Sequence, residues 1–254
     1  MRKIMILALV VCSTSVFAEF PVGNISDFSG SYLSPSGKAT ASKWEYNGLN
    51  YSDPVEIEVE EQAGSLYLSI DNDEFEFDQL PKQLEELESI NWSGFNLNSN
   101  GQVFQIQLGL LKGRSFSSSD DMSIDLNKLS VKCEHIFSSE ERTASEEFLD
   151  SCLNHSGSLL IDSVVAGKSD KMQSVSNIAF KINKNALNFS LKAKGIKLKG
   201  SGEIYYNGDS IKVKINKAKA GMFSVKGRLF KELKKQESDK LIVNNPWVEI
   251  ILSK

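Results

Sequence analysis

Three groups of side chains in this chain could do chemistry. Glu56, Glu58 and Glu60, and again Glu74, Glu76 and Asp78, fall at every second residue. On an extended strand this sets neighbouring carboxylates roughly 6.5–7 Å apart on one face, a separation that two-carboxylate glycan hydrolysis could use. Yet the acids alternate with Val55, Ile57, Val59, Phe75 and Phe77, and that alternation is also how a sheet with one wet face reads. No Gly-x-Ser-x-Gly elbow, phosphate loop, dinucleotide glycine fingerprint or His-Glu-x-x-His occurs. The two histidines, His135 and His155, leave a His-based triad little to draw on. The expectation is a protein without catalysis or cofactor, with the glycan hydrolase as the enzymatic alternative.

The second group is Cys133-Glu-His135 with Cys152-Leu-Asn-His155. Two thiols and two imidazoles would satisfy zinc, but Cys-x-His is tighter than usual zinc-finger spacing. An even cysteine count in an exported chain reads as a disulfide, and two cysteines allow one connectivity. Closing the loop between Cys133 and Cys152 would be worth about 3 kcal/mol by chain entropy.

The third group is a lysine ladder. Lys192, Lys194, Lys197, Lys199, Lys212, Lys214, Lys217 and Lys219 lie in a segment whose other positions are largely apolar. Three readings stand side by side. The lysines meet an anionic surface such as lipid headgroups or acidic glycan, they are the wet face of a soluble sheet, or they dock on acids elsewhere in the chain.

The elements that must position these groups are strands. Period-two alternation of β-branched and aromatic residues recurs through Val55–Val59, Leu66–Ile70, Phe104–Leu110, Ile178–Ile182, Leu187–Ala193 and Ile211–Ile215. Asn207-Gly208 marks a hairpin. The alternation changes phase at Gly195, which reads as a β-bulge bending one long strand. Pro81 to Leu87 and Arg228 to Lys235 read as short helices, and Glu140 to Leu153 as the best helix, with Ala144, Phe148 and Cys152 on one face. Leu241 to Leu252 reads as a closing strand bent at Asn244-Asn245-Pro246. The predicted fold is mainly β, with long curved antiparallel sheets, one disulfide-linked helix and a short C-terminal helix.

Residues 1–18 read as a signal peptide. Arg2 and Lys3 precede an apolar run, Ile4 to Val11, and Val16-Phe17-Ala18 offers a cleavage site. Lipidation of Cys12 would want a small residue before it, where Val11 stands. No later stretch is long and apolar enough to span a membrane. An exported protein, periplasmic or extracellular, is expected. Charge then divides the remainder: residues 19–165 hold 26 acids against 8 bases, and residues 166–254 hold 19 bases against 7 acids. The predicted regions are an acidic one at 19–166 and a basic one at 167–254. Nothing in the balance argues for nucleic acid.

In residues 178–252, three features carry a resemblance. They are the hairpin at Asn207-Gly208, the helical Gly227-Arg228-Leu229-Phe230-Lys231-Glu232-Leu233, and the closing Asn245-Pro246-Trp247-Val248-Glu249-Ile250. This third of the chain resembles AsmA-like and tubular lipid-binding proteins of bacteria. The resemblance implies curved sheets that cradle acyl chains, lipid binding or transport, and no catalysis. It transfers no site residue. The helices look too few to cover the apolar sheet, so Phe180, Leu191, Ile196, Leu198, Ile204, Ile211 and Val213 would line a groove or a sealed core. Lys192, Lys194, Lys197, Lys199, Lys212 and Lys214 would meet anionic headgroups. The expected function is binding of lipid or another amphiphile at the cell envelope. A structural or adhesive envelope protein with a protein partner is the alternative.

Overall fold

The computed structural model describes residues 23–252 apart from 47–48, 52–53, 63–64, 71–72, 78–86, 116–121, 135–143 and 169–171. The signal-peptide reading of residues 1–18, the helix read at Pro81, Asp78 and His135 all lie outside the described residues. Within them the protein is mainly β: one large antiparallel sheet with two short helices.

The first strands are β1 (Gly23–Leu33), β2 (Ser36–Ala41), β3 (Lys43–Tyr46), β4 (Leu49–Tyr51), β5 (Val55–Gln62), β6 (Ser65–Ile70) and β7 (Asp73–Phe77). β2 and β3 share one edge of β1, and β5, β6 and β7 continue outward from β2. The other edge of β1 takes β8 (Leu87–Ser99). From there neighbours in sequence are neighbours in the sheet: β9 (Val103–Ser115), β10 (Met122–Glu134), β11 (Ser156–Lys168), β12 (Gln173–Asn183), β13 (Ala186–Ala193), β14 (Ile196–Tyr206) and β15 (Ser210–Ala220). Helix α1 (Ala144–Asp150) and a π-helical turn, Ser151–His155, join β10 to β11. After β15 come β16 (Phe223–Ser224), helix α2 (Lys226–Lys234), β17 (Leu241–Asn244) and β18 (Trp247–Ile251), which pairs with both β15 and β17. Hydrogen bonding runs unbroken from β10 through β11 to β12, across the change of charge near residue 167.

Alternation along the strands builds two apolar clusters rather than one. The larger gathers Ile25, Val55, Ile57, Ile70, Leu97, Phe104 and Leu111 from β1, β5, β6, β8 and β9. Phe28 packs against Trp44, Trp92 and Phe95 there, with ring centroids 5.2–6.1 Å apart. The smaller cluster places Phe230 of α2 with Ile215, Ala218, Val243 and Val248, flanked by Phe189, Val213, Leu229 and Leu233. Phe148 of α1 stacks edge-on against Phe104 at 4.7 Å, and Cys152 bonds to Cys133 at the end of β10. The disulfide and the helix it pins are as expected from the spacing, although the α-helical part ends at Asp150.

Two expectations are corrected. Gly195 is no bulge. Ala193 pairs with Ile196, and Lys194 (φ 49°) and Gly195 (φ 78°) form the two-residue turn of a tight hairpin. A two-residue turn puts its flanking residues on the same face, which shifts the apolar parity just as a bulge does. The real irregularities lie elsewhere. Asp27, Lys128 and Asn177 take left-handed backbone within β1, β10 and β12, and the β14–β15 register slips beside Asn216. Likewise Leu241 to Leu252 is a hairpin, β17 to β18, that reverses at Asn245-Pro246 instead of bending there.

Candidate functional site

The register of β13, β14 and β15 sorts their residues onto two faces. Leu187, Phe189 and Leu191 pair with Gly202, Gly200 and Leu198, which in turn pair with Ile215, Ala218 and Ala220. On the opposite face Lys192 stands directly across from Lys197, and Lys199 across from Lys219. Lys217 faces Ser201 on that same side. All five are exposed, as is Lys194 in the turn. Like charges placed directly opposite on adjacent strands repel, so two such pairs oppose the fold.

The ladder divides into two parts along the strands. Toward the Asn207 turn, Lys214 Nζ lies 3.1 Å from Glu203 Oε1 and 5.6 Å from the Trp247 ring centre, and Lys212 Nζ lies 3.5 Å from Glu249. Asn216 Nδ2 and the Tyr205 hydroxyl also donate to Glu203, at 3.0 and 2.8 Å. These donors, Asn216 first, then Tyr205 and Lys214, hold the Glu203 carboxyl at about 2 against an ordinary 4.5. The reciprocal effect raises the Tyr205 phenol. Toward the Lys194 turn there is no such compensation. Among the described residues, Lys192, Lys194, Lys197, Lys199, Lys217 and Lys219 make no ion pair.

The apolar residues expected to line a groove are partly enclosed. Ile204 is buried, and Val213 packs against the cluster built on Phe230. Phe180 stacks on Phe189 at 6.2 Å and, with Leu191, Leu198 and Ile211, is half-buried. Ile196 is 55% exposed. Helix α2 therefore covers the section carrying Phe189, Val213 and Ile215, and exposure grows toward the Lys194 turn.

A device that sequence reasoning missed braces the other end of these strands. Asn154, in the disulfide-pinned turn, acts as an extra strand residue beside β14. Its Oδ1 accepts from Tyr206 N at 2.8 Å, and its Nδ2 donates to Tyr206 O at 2.8 Å. Asn185, in the β12–β13 turn, donates to Asn154 Oδ1 and to Ile204 O at 3.1 and 2.9 Å. The bridge thus anchors the basic hairpins to β10. Asn is the natural side chain here, since its amide reproduces a peptide's donor and acceptor.

Other candidates are dispersed. Glu56, Glu58 and Glu60 are exposed on β5, where Glu58 pairs with Lys38. The register sets Ser69 between Glu58 and Glu74, and Tyr67 between Glu60 and Glu76. Both thiols of the zinc reading are used in the disulfide, and His155 lies 3.4 Å from Asp150. A polar cleft of about 290 Å³ between β1, β8 and β9 is lined by Asn24, Asn96, Asn98, Gln105 and Gln107. A second, of about 580 Å³, lies beside His155, Lys132 and Lys181. Among the described residues, no helix is long and apolar enough to cross a membrane. Neither a known family, nor a curated protein, nor a solved structure matches the chain.

Proposed function

We propose that this is an exported, non-catalytic protein that binds lipid or another amphiphile at the cell envelope, through anionic headgroups met by the lysine face of β13–β15. One observation carries the reading: Lys192, Lys197, Lys199 and Lys219 form two repelling cross-strand pairs with no counter-charge among the described residues. An ordinary wet face would gain stability by mixing signs, as the same face does at Glu203 and Glu249. A surface that leaves its lysines unpaired retains its full field for an external anion. The partial enclosure of Ile204 and Val213 favours binding at the surface of the sheet over a deep acyl tunnel. Native mass spectrometry of protein purified from its own envelope tests this. Anionic lipid or another anionic amphiphile should co-purify and be displaced by salt. A preparation carrying a stoichiometric protein partner and no amphiphile would replace the reading with the adhesive one.

A further inference from the structure

The three most exposed apolar side chains of the basic strands gather at one end, while the less exposed Tyr205, Trp247 and Ile250 lie toward the other. Met222 is 91% exposed, Phe223 76% and Ile196 55%, and Met172, just before β12, is 42% exposed. Strand directions bring them to one end of the sheet. Ala193 pairs with Ile196, Leu198 with Ala220, and Ala220 with Phe223, so the Lys194-Gly195 turn and the Gly221-Met222 turn project side by side. Met172 enters at that same end, because Val175 pairs with Ala193. Ser123 Oγ reaches Met172 Sδ at 3.5 Å, while Met222 and Phe223 stay open to solvent, whereas the opposite end is tied down by Asn154 and Asn185.

The uncompensated lysines border this tip along one face of the sheet. Lys192, Lys194, Lys197, Lys199 and Lys219 all lie within four residues of one of the two turns, roughly 13 Å along a strand. From Met172 to Phe223 the chain carries ten lysines and two acids, Glu203 and Asp209, both beyond the middle of the strands toward the far end. Protruding apolar side chains at the end of a cationic face match an anionic bilayer in cross-section, with hydrocarbon beneath a charged headgroup layer. A purely electrostatic site has no use for Met222 and Phe223. A sealed core would not leave them in solvent.

We infer that the protein docks end-on to an anionic phospholipid bilayer, inserting Met222, Phe223 and Ile196 while the lysines bordering them contact the headgroups. This rests on the proposed function and specifies its site and geometry. The sheet would stand on the membrane by its turns rather than lie flat on its lysine face.

The test uses the mature chain with phosphatidylglycerol–phosphatidylcholine vesicles and with phosphatidylcholine vesicles alone. In a Phe223→Trp variant the new indole should shift to the blue and resist aqueous quenchers only with the anionic vesicles. The Met222→Ser/Phe223→Ser double variant should bind at least tenfold more weakly and be released at lower salt than the parent. Both sites are exposed, Met222 in the turn and Phe223 at the start of β16, and far-UV dichroism would check that the fold is kept. Binding of the double variant equal to the parent, with loss in Lys192→Glu/Lys197→Glu/Lys199→Glu, would overturn end-on docking and leave the lysine-face reading standing. A parent that binds neither vesicle would overturn docking and weigh against the proposed function as well. Sedimentation showing a parent dimer that the double variant disperses would assign the tip to a second copy of the chain and overturn the bilayer as its occupant.

Discussion

If the unpaired lysines exist for a partner, reversing some of them should stabilise the free protein while weakening binding. Lys197→Glu together with Lys199→Glu converts both repelling pairs, with Lys192 and Lys219, into attractive ones. A directly opposed like-charge pair costs about 0.5 kcal/mol, and the opposite-charge pair gains a similar amount. Two conversions would sum to about 2 kcal/mol, and the exposure of all four side chains reduces this to about 1 kcal/mol. For a domain of this size that is a rise of about 2–4 °C in melting temperature at low ionic strength. The gain should fade toward 1 M salt, where the screening length falls to about 3 Å. Binding should move the other way. At about 1 kcal/mol per lysine near an anionic surface, two losses and two new repulsions amount to about 4 kcal/mol, roughly a thousandfold in affinity. Urea titrations at low and high salt, paired with vesicle titrations, read both effects. Glutamine at the same positions should give about half of each. A double variant that is less stable than the parent at low salt, with unchanged binding, would refute the reasoning.

Other outcomes follow from the bracing and the clamp. Replacing Cys133 and Cys152 by serine should cost about 3 kcal/mol in denaturant unfolding, by the entropy of the opened loop. Asn154→Ala leaves Tyr206 N and O without their side-chain partners and should cost about 2–4 kcal/mol, measured the same way. Hydrogen-exchange protection should fall first at the ends of β13 and β14. Glu203 titrates at about 2 when folded and near 4.5 when unfolded, so the unfolded chain takes up protons first as pH falls. Its contribution is complete above pH 4.5 and is lost between there and pH 2. A carboxyl chemical-shift titration of Glu203 should have its midpoint near 2, and Lys214→Ala should move it upward.

Much of the fold was legible because alternation is a local signal. Val55, Ile57 and Val59 face inward and Glu56, Glu58 and Glu60 outward on β5, as their period requires. The bridge was legible from two cysteines in a chain whose N-terminus reads as a signal peptide. Gly195 misled because parity alone cannot separate a bulge from a two-residue turn. Lys194 in left-handed backbone decides the matter, and lysine at such a position gives no hint of it. The role of Asn154 was invisible because its partners, Tyr206 and Asn185, are distant in sequence. The division of the lysine ladder depended on Glu249 returning from β18 beside Lys212. Met222 gave no periodic signal, and the alternation that begins at Phe223 says nothing of its exposure. They stand out only once strand directions place them beside Ile196.

The most direct measurement of the central claim is co-sedimentation of the mature protein with vesicles of increasing anionic phospholipid content, at several salt concentrations. The expected result is negligible binding to neutral vesicles, a steep rise in affinity with anionic fraction, and a loss of that affinity as salt increases. Equal binding to neutral and anionic vesicles, or none to either, would contradict it.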